Sequence, residues 1–294
     1  MPTRTAAERA ERARALGPTD LVLSSLTVPR ATVAERVAAA AEAGYAGIAL
    51  HLANWKRLQR EGWTTERVAD ILDRHDQLLV EIEFLQSWAG PPSMRERAAE
   101  EERLAFELAA GLGARHLQLG GPYHADVDAA AEAFAGVCDR AAEHGLLVSL
   151  EYLPEMTNIG SAAEALVIVE RAGRPNGGIC VDSWHHERGP DTLATLAHID
   201  GARVTSVQLD DGRIPRTEPD YLTDTSTNRL PPGEGDFDLV GLLHTLRAMG
   251  VRAPLGLEVI SPAVAAAHPS AVARRVADGM RAVLARADGS AATA

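Results

Sequence analysis

Eight short apolar runs alternate with longer Ala/Leu/Glu/Arg-rich stretches along the whole chain, and this alternation limits the fold more than any other feature. The runs are LVLSSL (21–26), GIALHL (47–52), LLVEIEF (78–84), RHLQLG (115–120), LLVSLEYL (146–153), GICVD (178–182), VTSVQL (204–209) and PLGLEVI (254–260). Helical patterns fall near 32–44, 64–76, 94–113, 127–144, 161–172, 191–198, 238–249 and 268–286. Several helices finish on a glycine just before the next strand, as in AEAGYAGIAL and RAMGVRAPLGL, where a left-handed residue closes the helix. Thr32 and Ser161 are placed to cap two helix starts.

Strands alternating with helices imply parallel pairing through right-handed crossovers. Eight such units in about 270 residues fit a closed (β/α)8 barrel of the α/β class, typically roughly 250 residues long. An open doubly wound sheet would favour a Gly-rich nucleotide loop after its first strand, and LVLSSLTVPRATV has none. With no break in composition, a single barrel domain is assigned to 19–288. A helical extension (1–18) precedes it, and a tail (289–294) is expected to be disordered. The longest non-periodic stretch, 210–237, is expected to be a lid or substrate wall.

The formal net charge of −12 argues against nucleic acid, whose binding needs a basic surface, but not against a small anionic ligand. Cys138 and Cys180 form no CxxC pair and read as buried hydrophobes, which suits a reducing cytoplasm. The N-terminus lacks the apolar core of a secretory signal, and no apolar run approaches the roughly 18 residues of a membrane span. The reading is a soluble cytoplasmic protein with a small-molecule partner. Its oligomeric state is open, a homo-oligomer included.

Four consecutive runs end on an oxygen-bearing side chain: Glu151, Asp182, Gln208 and Glu258. In a barrel the C-terminal ends of neighbouring strands surround one mouth, so these groups can converge. Three crowded carboxylates repel one another, and a divalent cation relieves that repulsion. Oxygen donors favour a hard ion, Mn²⁺ or Mg²⁺, over zinc. The competing reading is that these are solvated strand-end residues in loop contacts.

This pattern resembles the xylose isomerase-like TIM-barrel superfamily, whose metal ligands are a Glu, Asp, His-or-Gln, Glu set on strands 5 to 8. DSWH matches its Asp-x-x-His signature, giving His185; VQLDDG carries Gln where many relatives have His. RLPPGEGDFDL (229–239) looks like its Arg…Pro-Gly-x-Gly segment. The resemblance covers nearly the whole chain and implies one bound divalent cation. It also implies proton abstraction α to a carbonyl through a metal-stabilised enediolate, with a polyhydroxy carbonyl compound as substrate. DNA-repair relatives bind several zinc ions through many histidines, whereas few histidines here fall at strand ends.

Under that reading Glu151 and Glu258 ligate the cation and exchange the proton. His185 hydrogen-bonds a substrate oxygen or supports Asp182, and Arg229 grips a carboxylate or braces its loop. His51, Glu83, Gln118 and Trp55 are candidate substrate contacts, each with a structural alternative; Glu81 and Glu83 share one strand face. The leading activity is an isomerase or epimerase of a keto-sugar, inosose or related polyol. A lyase dehydrating a dehydroshikimate-like or inosose-like ring comes second, and a barrel that binds a ligand without turnover third. Gln208 and the loop behind it lean towards the dehydratases. No Gly-rich phosphate cradle follows strands 7 or 8.

Overall fold

The computed structural model describes residues 4–121 and 125–291. Among these, eight parallel strands close into a barrel in sequence order. They are β1 (Leu21–Leu23), β2 (Gly47–His51), β3 (Leu78–Leu85), β4 (His116–Gly120), β5 (Leu147–Glu151), β6 (Gly177–Asp182), β7 (Val204–Leu209) and β8 (Leu255–Leu257). β1 pairs with both β2 and β8, which completes the ring. All eight expected runs form strands, with the ends of several trimmed.

The helices are α1 (Ala6–Arg14), α2 (Val33–Glu42), α3 (Leu52–Arg60), α4 (Thr65–Arg74), α5 (Arg95–Leu112) and α6 (Val127–Ala142). They continue with α7 (Ala162–Ala172), α8 (Ser183–Arg188), α9 (Leu193–Leu196), α10 (Tyr221–Thr227), α11 (Leu239–Ala248) and α12 (Pro269–Ala291). Thr32 caps α2 in a reciprocal box with Glu35, and Ser161 caps α7. α12 runs through Ala291, so the expected tail boundary at 288 falls inside a helix, and 292–294 lie outside the described residues.

The N-terminal extension packs on the barrel rather than standing apart. On α1, Ala13 joins Val22, Leu78 and Val80, with Leu16 beside them, and Arg9 is buried where its Nε donates to the Leu112 carbonyl (2.7 Å) and Nη1 to Asp73 Oδ2 (3.0 Å). Outside the sheet, the apolar stripes of the helices form one continuous core around the strands.

Towards the mouth the filling of the ring is polar, whereas branched aliphatic layers are usual in such barrels. Glu81, His116, Gln118, Ser149, Cys180 and Gln208 are all buried. Gly256 makes room for them. A Cβ there would meet the Val207 carbonyl at 3.1 Å and Gln208 Cγ at 3.3 Å, with Glu81 Oε2 at 3.6 Å. No helix among the described residues is long and apolar enough to cross a membrane.

Candidate functional site

The site grows out of the ends of β5 to β8. Glu151 and Asp182 are the last residues of their strands, Gln208 is the penultimate residue of β7, and Glu258 follows β8 directly. Parallel register sets Asp182 opposite Gln208 and Gln208 opposite Gly256. Glu151, Gln208 and Glu258 line a cavity of about 150 Å³, together with His51, Glu83, Gln118, His185 and Arg229. Leu26, Phe84, Leu153, Met156 and Ile260 supply its apolar walls.

Asp182 serves two partners at once. Its Oδ1 caps α8, accepting from the backbone N–H of Trp184 (2.6 Å) and of His185 (3.3 Å), while Oδ2 accepts from Arg229 Nη1 (3.0 Å). Burial alone would raise its pKa, but Arg229 and His185 hold the carboxyl below its ordinary value. The cap aims His185 at the mouth: Nε2 lies 3.3 Å from Glu151 Oε1 and 4.0 Å from Asp182 Oδ2, and Nδ1 meets the Tyr221 hydroxyl at 2.5 Å. Ligand atoms of Glu151, Asp182 and His185 lie within 4.8 Å of one another, close enough for one cation to touch all three.

Gln208 and Glu258 face the same cavity with their polar atoms engaged elsewhere. Gln208 Oε1 accepts from Gln118 Nε2 (3.1 Å), and its Nε2 donates to Glu81 Oε1 (2.9 Å). Glu258 Oε1 accepts from Ser24 Oγ (3.2 Å), and Oε2 sits 3.3 Å from Arg229 Nη1. The cluster therefore joins two of the four expected ligands to a histidine. With an imidazole among the donors, the set suits zinc as well as Mn²⁺.

Arg229, 2 % exposed, is the hub of the mouth. Nη1 reaches Asp210 Oδ2 (2.7 Å) in addition to Asp182 and Glu258. One guanidinium does not balance the surrounding acids. Burial, with the charges of Glu83, Glu151 and Asp182, pushes the Glu258 carboxyl well above its usual range despite Arg229. Burial and Glu81 push Glu83 up to about 8. Acid groups short of positive charge behave this way, and a divalent cation held by Glu151, Asp182 and His185 fits both the donor chemistry and the shortfall.

The long segment after β7 is tied down at its base. Asp211 and Leu230 exchange backbone hydrogen bonds (2.9 and 2.8 Å). The Asp211 carboxylate accepts from the N–H groups of Gly212, Gly233 and Phe237. Between these ends, Asp220 caps α10, which carries Tyr221 to His185, and Arg216 reaches across to Glu155 in the loop after β5 (2.9 Å).

Of the remaining candidates, Glu83 accepts from Ser24 Oγ and Ser25 Oγ, both at 3.0 Å. His51 caps α3 through Nδ1 (3.0 Å from Ala53 N). Trp55 is a correction: it is fully buried in the core and does not line the cavity. It lies on α3, whose inward stripe is Leu52, Trp55 and Leu58. Tyr221 and Asp210 escaped the sequence reading of the site. Asp210 was visible only as the first residue after β7, two beyond Gln208, and Tyr221 only as a tyrosine in the long loop.

An acid-rich mouth at the carboxyl ends of eight parallel strands defines a (β/α)8 barrel with its site where this class carries its chemistry. Residues 37–283 match the sequence profile of the xylose isomerase-like TIM barrel family, and the chain belongs to that family. It is 33 % identical over 148 residues to a 3-dehydroshikimate dehydratase of Pseudomonas aeruginosa, covering 50 % of this chain and 23 % of that one. It is 29 % identical over 137 residues to an inosose isomerase of Bacillus velezensis, covering 45 % and 46 %. The chain thus spans less than half the length of either relative. Among solved structures, the IOLI protein crystallised with a zinc atom superposes with a TM-score of 0.82 at 16 % identity, over 91 % of this chain and 99 % of that one. That likeness is one of fold.

Proposed function

We propose that this barrel isomerises or epimerises a keto-sugar, an inosose or a related polyol by moving a proton on the carbon next to its carbonyl. The observation that carries the reading is the meeting of Glu151 and His185 in one cavity that also contains Glu258 and Arg229, with Tyr221 holding the far nitrogen of His185. Glu151 and Glu258 are the groups that take and return the carbon-bound proton. His185, fixed by Tyr221 on one nitrogen, turns the other towards the cation, and Arg229 orients the polar end of the substrate. Glu151, Asp182 and His185, joined by Gln208 and Glu258 after side-chain rotation, would hold the cation, Mn²⁺ or Mg²⁺. When bound, the cation supplies positive charge beside the oxygen that becomes anionic. The net charge of −12 argues against nucleic acid as a partner and leaves room for a small polyhydroxy carbonyl compound.

The test is NMR in D2O with Mn²⁺-loaded protein and a panel of ketoses and inososes, where deuterium should enter the carbon next to the carbonyl. No exchange in any of them rejects the isomerase reading. The 33 % identity to a dehydratase and the Gln at position 208 favour a second reading, a lyase acting on a dehydroshikimate-like ring. Growth of protocatechuate absorbance from 3-dehydroshikimate would select it.

A further inference from the structure

Arg36 poses a separate problem outside the mouth. It lies in the second turn of α2, 1 % exposed, with Nε and Nη1 buried and lacking any hydrogen-bond partner. Among the described residues no carboxylate stands within 4.0 Å of its guanidinium. A buried cation left alone is costly, and native structures satisfy such groups. The acid that acts on it most is Glu83, but both Glu83 oxygens already accept from Ser24 and Ser25. Burial, together with the like charge of Arg57, brings the Arg36 pKa down to about 10 against the pull of Glu83, so the group is still charged at neutral pH.

Arg36 lines a cavity of about 260 Å³ between the start of α2 and α3. Arg30 and Arg57 line it too, with Asn54, Trp63 and one acid, Glu61. Glu61 sits 4.0 Å from Arg57 Nε, on an exposed pair of side chains where screening leaves little attraction. Three arginines thus line a small space with a single acid. Guanidinium groups match tetrahedral oxyanions by paired N–H donation, and a dianion would cancel the surplus.

We propose that the cavity between α2 and α3 is an anion site for a phosphate dianion, free or carried by a small phosphomonoester, gripped by Arg36, Arg30 and Arg57. The anion supplies the partner that Arg36 lacks. The site is distinct from the carboxylate-rich mouth, whose lining includes Glu83 but not Arg36. It therefore stands or falls independently of the reaction proposed above.

Isothermal titration of the full chain with inorganic phosphate, at constant ionic strength and with divalent ions chelated, should give saturable binding to one site. Arg57→Gln, a change at an exposed residue, should weaken it about tenfold or more, as expected for losing a charge-assisted hydrogen bond. Arg36→Met should abolish binding, and without phosphate should melt above the parent because an unpartnered buried charge has gone. A phosphomonoester binding like phosphate shows that the phosphate group alone is recognised; one binding tighter shows that Asn54 and Trp63 read the rest. Absence of saturable heat, or undiminished affinity in both arginine variants, would overturn the proposal. Should Arg36→Met not fold, Arg57→Gln decides alone.

Discussion

Replacing Arg229 with Met removes the guanidinium that touches Asp182 (3.0 Å), Asp210 (2.7 Å) and Glu258 (3.3 Å) at 2 % exposure. Taking one partner out of a buried ion pair costs about 3–5 kcal/mol, because the remaining charge keeps its desolvation penalty. Here the remaining carboxyls have an escape, which is to bind protons. Asp182 is held below its ordinary pKa partly by Arg229; without it, burial dominates and the folded-state pKa rises above the unfolded value of about 4. A group raised in the folded state contributes fully below the unfolded pKa and loses that contribution as pH climbs through the folded one. The defect should therefore be small near pH 5 and approach its full size at pH 8. Urea denaturation followed by circular dichroism, with EDTA present, reads this directly. At a slope of about 2–3 kcal/mol/M the midpoint should drop by roughly 1–2 M at pH 8 and by much less at pH 5. Saturating Mn²⁺ at about 100 times its Kd should restore about 2.7 kcal/mol. An equal loss at both pH values, or a larger one at pH 5, would refute the charge-balance reasoning.

Four further outcomes follow from the same geometry. Glu258→Gln should cut turnover by at least about 10²-fold while thermal unfolding followed by circular dichroism stays cooperative; retained activity rejects the assignment. Tyr221→Phe removes the hydroxyl at His185 Nδ1 and should lower kcat about 10–100-fold, with the pH profile of kcat displaced, since a second partner fixes imidazole tautomer and direction. Gly235→Ala would drive a Cβ into the Asp211 carboxylate and the Gly212 carbonyl, and calorimetry should register a loss of about 1–3 kcal/mol. Burial pushes the Cys138 thiol up to about 12 and the Cys180 thiol well above its ordinary value, so neither should react with a disulfide reagent at pH 8 until the chain is unfolded.

The barrel was readable because short apolar runs alternating with helical stretches and helix-ending glycines report local physics. Gly44 and Gly145, for example, adopt φ of +73° and +68°. α3 was overlooked because LANWKRLQR is short and mostly polar, although Leu52, Trp55 and Leu58 sit three apart. Reading Trp55 as a pocket residue follows from that omission. The placement of Glu151, Asp182, Gln208 and Glu258 at one mouth was legible, since strand order fixes it. Their partners were not. Arg229 meets Asp182 across 47 positions, and Gln208 meets Glu81 across 127, distances over which no periodicity speaks. The pairing of His185 with Tyr221 depends on α10, seven residues inside a stretch read as irregular.

The clamp that Asp211 makes on its own loop has a consequence for how this protein can change. Position 230 is pinned to 211 by two backbone bonds, so Arg229 keeps its anchor whatever the chain does farther out. The outer part, 213–220, forms a cassette held to the rest of the rim by the Arg216–Glu155 pair and by Arg188, whose Nη2 donates to the Arg213 carbonyl (3.0 Å). Transplanting that cassette from a relative should redraw which molecules are admitted while leaving Glu151, His185 and Glu258 in place.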